Sequence, residues 1–189
     1  MLKKVLRTKY ILRRNSLTQA QGTDQSISIA NKLLTLPVWQ FNYYHIFLPI
    51  TEKKEIDTSA ILSILQGKDK HVLVPKVIGS NNLQHFLLTD NTKFTLSTWG
   101  VPEPLDGIPI PPDKIDVVFV PLLAFDKKGY RVGYGKGFYD TFLSQCRKNV
   151  IKVGLSFFEA EETITDVHNA DVKLDYCVTP NTVYSFGDS

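Results

Sequence analysis

Val117 to Phe125 reads Val-Val-Phe-Val-Pro-Leu-Leu-Ala-Phe, the longest stretch of the chain without a polar side chain. A strand that is apolar at every position, rather than at every second one, must be covered on both faces. Sheets covered in that way are characteristically parallel, because the crossover helices that connect their strands also cover them. The rest of the chain supplies such helices. Asp24 to Leu36 places Ile27, Ala30, Leu33 and Leu34 at helical spacing and ends before Pro37. Asp57 or Thr58 can cap a second helix carrying Ile61, Leu62, Ile64 and Leu65, with Gly67 at its end. Phe138, Phe142 and Cys146 repeat every fourth residue in a third. Between them lie strand-like runs at Tyr43 to Ile50, His71 to Val77, Leu83 to Leu88, Asp116 to Val120, Val150 to Leu155 and Tyr176 to Thr179. This alternation predicts a single α/β domain over residues 1–189, with a mainly parallel central sheet flanked by helices on both faces. Thr98 to Pro112, rich in proline, is expected to be a long loop outside the sheet.

The apolar run is too short for the ~18 residues that cross a bilayer, so no membrane association is expected. Two cysteines, Cys146 and Cys177, lie far apart and in no Cys-x-x-Cys pattern, which fits a reducing cytoplasm better than a disulfide framework. A net charge of +3 is too small to argue for nucleic acid by itself. The four histidines have no ligand-like spacing, and none is expected to be catalytic.

The charge is unevenly placed. Lys3, Lys4, Arg7, Lys9, Arg13 and Arg14 precede the first acidic residue, Asp24. On a helical wheel Lys3, Arg7 and Arg14 share one narrow sector, and Leu2, Val5, Leu6, Tyr10, Leu12 and Leu17 gather opposite, which predicts a docked helix with a cationic side. Three cations on one sector invite an anion.

The second concentration is of glycine. Gly129, Gly133, Gly135 and Gly137 fall in Gly-Tyr-Arg-Val-Gly-Tyr-Gly-Lys-Gly-Phe-Tyr-Asp140, between a predicted strand and a predicted helix. Glycines let backbone approach a ligand closely, and a helix start offers unpaired N–H groups and partial positive charge. With Arg131 and Lys136 beside it, this is a layout for an anion. It is neither a Walker A loop, since Gly137 rather than Ser or Thr follows Lys136, nor a dinucleotide fingerprint, whose glycine spacing differs. Asp140, in the first helical turn, can cap the dipole or help to hold Mg²⁺ beside phosphates.

The stretch from Val120 to Asp140 resembles the central motif of the 5-formyltetrahydrofolate cyclo-ligase (methenyltetrahydrofolate synthetase) family. The resemblance extends to Lys3-Lys-Val-Leu-Arg7, Phe47-Leu-Pro-Ile with Glu55-Ile-Asp-Thr58, Trp99-Gly-Val-Pro-Glu-Pro104, Val153-Gly-Leu-Ser-Phe157 and Asp171-Val-Lys-Leu-Asp175. It implies a soluble, monomeric enzyme that uses ATP and Mg²⁺ to convert 5-formyltetrahydrofolate into 5,10-methenyltetrahydrofolate, with release of ADP and phosphate. It also implies site residues. Lys3, Lys4 and Arg7 would meet the ATP phosphates, while Arg131, Gly133, Tyr134, Gly135, Lys136, Gly137, Phe138 and Tyr139 would wrap the nucleotide. Arg131 and Lys136 would be catalytic. Leu48 and Glu55 would contact folate; Tyr134, Lys136 and Phe138 would line the meeting point of the substrates; Asp140 and Asp175 would approach Mg²⁺.

Tyr134 stands where some members of that family have Arg, and a phenol there can hydrogen-bond or stack. Read without the resemblance, Glu55 could equally be a surface acid, and Trp99 could cover the core or stack on a ligand ring. Two other classes fit the residues alone: a module that binds ATP without turnover, and a nucleic-acid binder using Lys3 to Arg14. The basic stretch has only Tyr10 as an interleaved aromatic, which argues against the second.

Overall fold

A computed structural model describes residues 1–187. Its centre is a seven-stranded sheet in the order β11-β10-β9-β6-β1-β2-β3. The strands are β1 (Tyr43–His45), β2 (His71–Ile78), β3 (Asn82–Leu87), β6 (Val117–Pro121), β9 (Ile151–Leu155), β10 (Tyr176–Val178) and β11 (Val183–Ser185). The five inner strands pair in parallel, and β3 and β11 close the two edges antiparallel. The expected mainly parallel sheet is therefore present.

Both faces are covered. Helices α2 (Gln19–Leu33) and α3 (Ser59–Gly67) pack Ile29, Leu33, Ile61 and Leu65 against Tyr44, Ile46, Val117, Phe119 and Val153 on one face. On the other, α4 (Phe138–Gln145) sets Phe142 and Leu143 against Leu73, Val118 and Val120. Alternate residues of β6 thus enter different cores, which is why its sequence shows no polar alternation. Gly154 in β9 lies where a Cβ would stand 2.6 Å from Leu174 Cδ1 and 2.8 Å from Leu122 Cδ2. Gly154→Ala is expected to lower stability by about 1–3 kcal/mol through overpacking. A denaturation midpoint equal to that of the unaltered protein would show that the core has room for the methyl group.

Several local expectations need correction. The run from Tyr43 to Ile50 forms a strand only as far as His45, and α2 begins earlier than Asp24, where Thr18 and Gln21 form a reciprocal capping box. Ile27 of α2 and Leu34 just after it face solvent, while Ser26 and Ile29 join the buried side. The proline-rich stretch is not wholly loop. Pro102–Pro104 forms β5, paired antiparallel with β4 (Phe94–Leu96) in a separate two-stranded sheet, where missing proline donors can be tolerated at an edge. A further hairpin, β7 (Ala124–Phe125) with β8 (Arg131–Val132), leads into the glycine segment.

The first helix, α1 (Lys3–Asn15), docks on that hairpin through Leu6 and Tyr10, which meet Leu123, Ala124, Val132 and Ile164. Half of its expected apolar side is turned outward: Leu2, Val5 and Leu12 are 52%, 50% and 65% exposed. The inward stripe instead combines Leu6 and Tyr10 with the cationic sector, because the helical repeat sets these two beside Lys3, Arg7 and Arg14 rather than opposite them, and the neighbouring segments offer acceptors. Tyr10 donates to Glu161 at 2.7 Å, and the Lys3 N–H donates to Asp166 at 2.7 Å, capping a helix start that has no local side-chain cap.

Candidate active site

The chain leaves β1 for β2 on one side and returns at β6 on the other, so β1 and β6 bracket the point where strand order reverses. Segments leaving the carboxyl ends of such strands diverge and open a crevice, the usual ligand position of an open α/β sheet. A cavity of about 470 Å³ lies here, lined by Phe47 and Leu48 beyond β1 and by Pro121 and Leu122 at the end of β6. Its volume falls in the range of small-molecule sites.

One wall is cationic. Lys3, Lys4 and Arg7 of α1 line it, facing the glycine segment. Arg7 Nε donates to the Gly133 carbonyl at 2.9 Å, which fixes the helix to the loop. Gly135 has φ +95°, a backbone conformation that favours glycine, and a Cβ there would press on the Arg7 guanidinium at 3.2 Å from Cζ. Gly137 opens α4. Lys136 is exposed, with its ammonium 3.1 Å from the centroid of the Trp99 ring across the cavity. Lys3 also pairs with Asp171, whose carboxyl is held below the usual range by the Lys3 and His168 N–H hydrogen bonds, against the opposing effect of burial.

The other side is largely apolar, formed by Phe47, Leu48, Ile50, Trp99 and Val101 with Glu55 among them. Glu55 accepts from the Ile50 N–H at 2.7 Å and from the Tyr134 hydroxyl at 3.0 Å. Burial pushes its carboxyl up, opposed by the Ile50 hydrogen bond and by Arg14, Tyr134 and Lys53. Lys53, which no sequence signal singled out, lies with Nζ 4.3 Å from the Tyr134 ring centroid.

Most sequence candidates converge on this one cavity: Lys3, Lys4, Arg7, Leu48, Glu55, Arg131, Asp140 and every residue from Gly133 to Tyr139 line it. Arg131, however, is turned to structure. Its guanidinium holds Asp140 Oδ1 at 2.8 Å and the Val172 carbonyl, with only 6% of its side chain exposed. Asp175 does not line the cavity. It pairs with Lys152 Nζ at 2.8 Å and accepts the Lys152 N–H at 2.7 Å, fastening β9 to the start of β10. Among the described residues, no group of three or more His, Cys, Asp or Glu side chains is arranged to hold a metal ion. Asp140 retains some scope for one, since its hydrogen bonds among the described residues both fall on Oδ1.

Behind the cavity, His45 and His85 are buried with ring centroids 4.9 Å apart, and His85 stacks on Phe142 at 4.0 Å. Tyr139, which lines the cavity, lies against His45 at 5.9 Å. None of the four imidazole nitrogens has a hydrogen-bond partner among the described residues. Burial lowers both side chains' affinity for protons, bringing His85 to about 4, and the proximity of His85 depresses His45 further.

Residues 1–180 match the model of the 5-formyltetrahydrofolate cyclo-ligase family. A probable 5-formyltetrahydrofolate cyclo-ligase from Schizosaccharomyces pombe is 32% identical over 174 residues, covering 84% of this chain and 85% of the relative. A 5-formyltetrahydrofolate cyclo-ligase from Haemophilus influenzae is 32% identical over 159 residues, covering 80% of this chain and 83% of its own. The NMR structure of Aquifex aeolicus 5,10-methenyltetrahydrofolate synthetase superposes with a TM-score of 0.85 at 29% identity, covering 100% of this chain and 95% of that one.

Proposed function

The chain belongs to the 5-formyltetrahydrofolate cyclo-ligase family, and from that membership we propose that its cavity seats ATP and 5-formyltetrahydrofolate together and catalyses ATP-dependent closure to 5,10-methenyltetrahydrofolate. The observation that supports this most strongly is the division of one cavity into a cationic wall and a largely apolar wall that bears the anchored carboxylate of Glu55. A triphosphate suits the first and a pterin the second. We place this activity in a monomeric cytoplasmic protein folded as one domain.

A formyl amide carbon is a weak electrophile and its oxygen a poor leaving group. In the proposed reaction the formyl oxygen attacks the γ-phosphorus of ATP and ADP departs, leaving an iminium phosphate. N10 of the folate then attacks the formyl carbon. The carbon–oxygen bond breaks as inorganic phosphate leaves, and the N10 proton is released.

The protein's contribution is position and charge. Lys3, Lys4 and Arg7 hold the triphosphate from α1, and backbone N–H groups from Gly133 to Tyr139 complete the cradle. Lys136 neutralises charge on the transferring phosphoryl group. Leu48 and Phe138 confine the pterin, and Glu55 accepts its N–H donors. Arg131 acts as a positioning residue that aims Asp140 rather than as a direct phosphate ligand.

Mg²⁺ binds through few protein carboxylates and retains phosphates and waters, a demand that Asp140 can meet alone. When bound it supplies charge neutralisation to the phosphates. Asp175, committed to Lys152, does not fit that role. Asp140→Asn is therefore expected to raise the half-saturating Mg²⁺ concentration roughly tenfold, about 1.4 kcal/mol of lost affinity. Asp175→Asn should leave the Mg²⁺ titration in place while lowering the melting temperature. The reverse pattern would return Asp175 to the site.

The overall reading is tested by following methenyl product by absorbance with purified protein, 5-formyltetrahydrofolate and Mg²⁺. Product should form with ATP and not without it. ATP binding with no folate-dependent phosphate release would reject the assignment.

A further inference from the structure

A hydrogen-bonded chain leads from Glu55 through Tyr134 to Arg14, a residue to which the reaction above gives no part. Arg14 is only 6% exposed and makes no ion pair among the described residues. Its Nη1 donates to the Tyr134 hydroxyl and its Nη2 to the Leu122 carbonyl, both at 2.7 Å, while Nε lacks a partner among the described residues. Burying a guanidinium without a carboxylate in contact is costly, so this arrangement calls for a counterion within reach. The chain continues to one. Tyr134 donates to Glu55 Oε1 at 3.0 Å, and Glu55 Oε2 accepts the Ile50 N–H.

The donor inventory fixes the polarity of this chain. Arginine can only donate, so the Tyr134 oxygen accepts from it and the phenolic proton is directed to Glu55. Both Glu55 oxygens then face donors, an arrangement that favours the carboxylate. We propose that Arg14 is a positioning residue for the folate side, holding Glu55 through Tyr134 as a fixed anion that accepts pterin N–H groups.

This inference rests on the proposed function but concerns a residue outside the cavity lining. Burial acts on Glu55 against ionisation, and the groups that oppose it are the Ile50 N–H, Arg14 from α1, Tyr134 from the glycine segment and Lys53 from the turn after Ile50. Tyr139 from α4 also senses the Glu55 charge but remains neutral, its ionisation opposed first by burial and then by Glu55 itself. Loss of the Arg14 charge leaves burial less opposed, so Glu55 takes up its proton at higher pH.

Arg14→Gln keeps amide donors while removing the charge. In calorimetric titrations without ATP, it is expected to weaken 5-formyltetrahydrofolate binding roughly tenfold at pH 7, the loss expected when one charge-assisted hydrogen-bond anchor is no longer held in place. The deficit should grow as pH falls to 6, while ATP affinity changes less than about twofold, since Arg14 does not touch the cationic wall. Arg14→Lys should recover part of the loss. Combining Arg14→Gln with Tyr134→Arg, which brings a guanidinium directly to Glu55, should recover more.

A folded Arg14→Gln protein with the folate affinity and pH dependence of the unaltered protein overturns the proposal. If that variant does not fold, Tyr134→Phe breaks the middle link at a more exposed residue, and an unchanged pH dependence there overturns it equally. Carboxyl ¹³C titration of Glu55 in ligand-free protein separates this inference from the proposed function. The midpoint should rise in Arg14→Gln whether or not the protein turns over folate, and a midpoint that stays put removes the coupling. Absence of ATP-dependent product from the unaltered protein rejects the function instead.

Discussion

Lys136→Ala is expected to lower folate-dependent ATP turnover by roughly 10²–10³-fold, the usual loss when one preorganised charge-stabilising donor is removed. Its melting temperature should move by less than about 2 °C, because an exposed loop side chain contributes little to the core. In the ligand-free protein the Lys136 ammonium rests on Trp99, a cation–π contact of about 0.5–1 kcal/mol at an exposed site. A triphosphate offers more charge than an indole face, so the lysine is free to transfer from one to the other. Lys136→Arg keeps the charge but replaces a compact ammonium with a planar fork, and should recover only part of the rate. Steady-state measurement of methenyl product checks both variants. Turnover of Lys136→Ala within threefold of the unaltered protein would remove this residue from the mechanism.

The second large effect is on stability and arises from His45 and His85. In the folded protein both imidazoles stay neutral well below pH 6.5, because burial opposes their charging. The unfolded chain takes up protons on them near 6.5. Below that pH the unfolded state therefore binds more protons than the folded one, and stability falls with acidification. The histidine contribution is intact above about 6.5 and declines until the folded-state values are reached. For His85, with a folded value of about 4, the loss accumulates to about 3 kcal/mol. His45 adds to the slope over the same interval.

The depressed carboxyls of Glu159, Glu161 and Asp171 begin to contribute in earnest only below the ordinary carboxylate range, so between pH 6.5 and 5 the two histidines set the downward slope, partly offset by Glu55, whose raised carboxyl takes up its proton earlier in the folded protein. Urea denaturation at pH 7 and pH 5 measures the difference. His85→Phe, which retains an aromatic ring against Phe142, should reduce the slope and leave the pH 7 value within about 1.5 kcal/mol. Equal stability at the two pH values, or an undiminished slope in that variant, would contradict this account.

The sequence was most legible where one residue pattern admits one physical solution. An apolar strand without alternation requires cover on both faces, and Val118 and Phe119 do enter opposite cores. Clustered glycines beside Lys136 and opposite a basic helix imply an anion cradle, and nearly all the residues implicated line one cavity. Arg14 could have been found as well, since it shares the helical sector of Lys3 and Arg7. What the sector could not disclose is that Arg14 reaches Tyr134 rather than solvent.

Local patterns were insufficient wherever the partner comes from far along the chain. The outward turn of Leu2, Val5 and Leu12 depends on acceptors at Asp166, Asp171 and Gly133 that draw the other side of α1 inward. β5 exists because Phe94–Leu96 provides a partner for a proline-bearing edge. Asp140 and Asp175 look equivalent as isolated acids, yet one lines the cavity beside Arg131 and the other is bound by Lys152.

By itself, then, the sequence determined the α/β layering and the gathering of glycines and cations on one segment, since periodicity, glycine placement and charge are carried by residues close together in the chain. Tertiary structure alone decided which charges reach the cavity, which are neutralised elsewhere, and that two histidines lie buried behind it. Those outcomes depend on desolvation and on hydrogen-bond partners more than a hundred residues apart, as for Arg14 with Tyr134 and Arg7 with Gly133, and no local pattern encodes such distances.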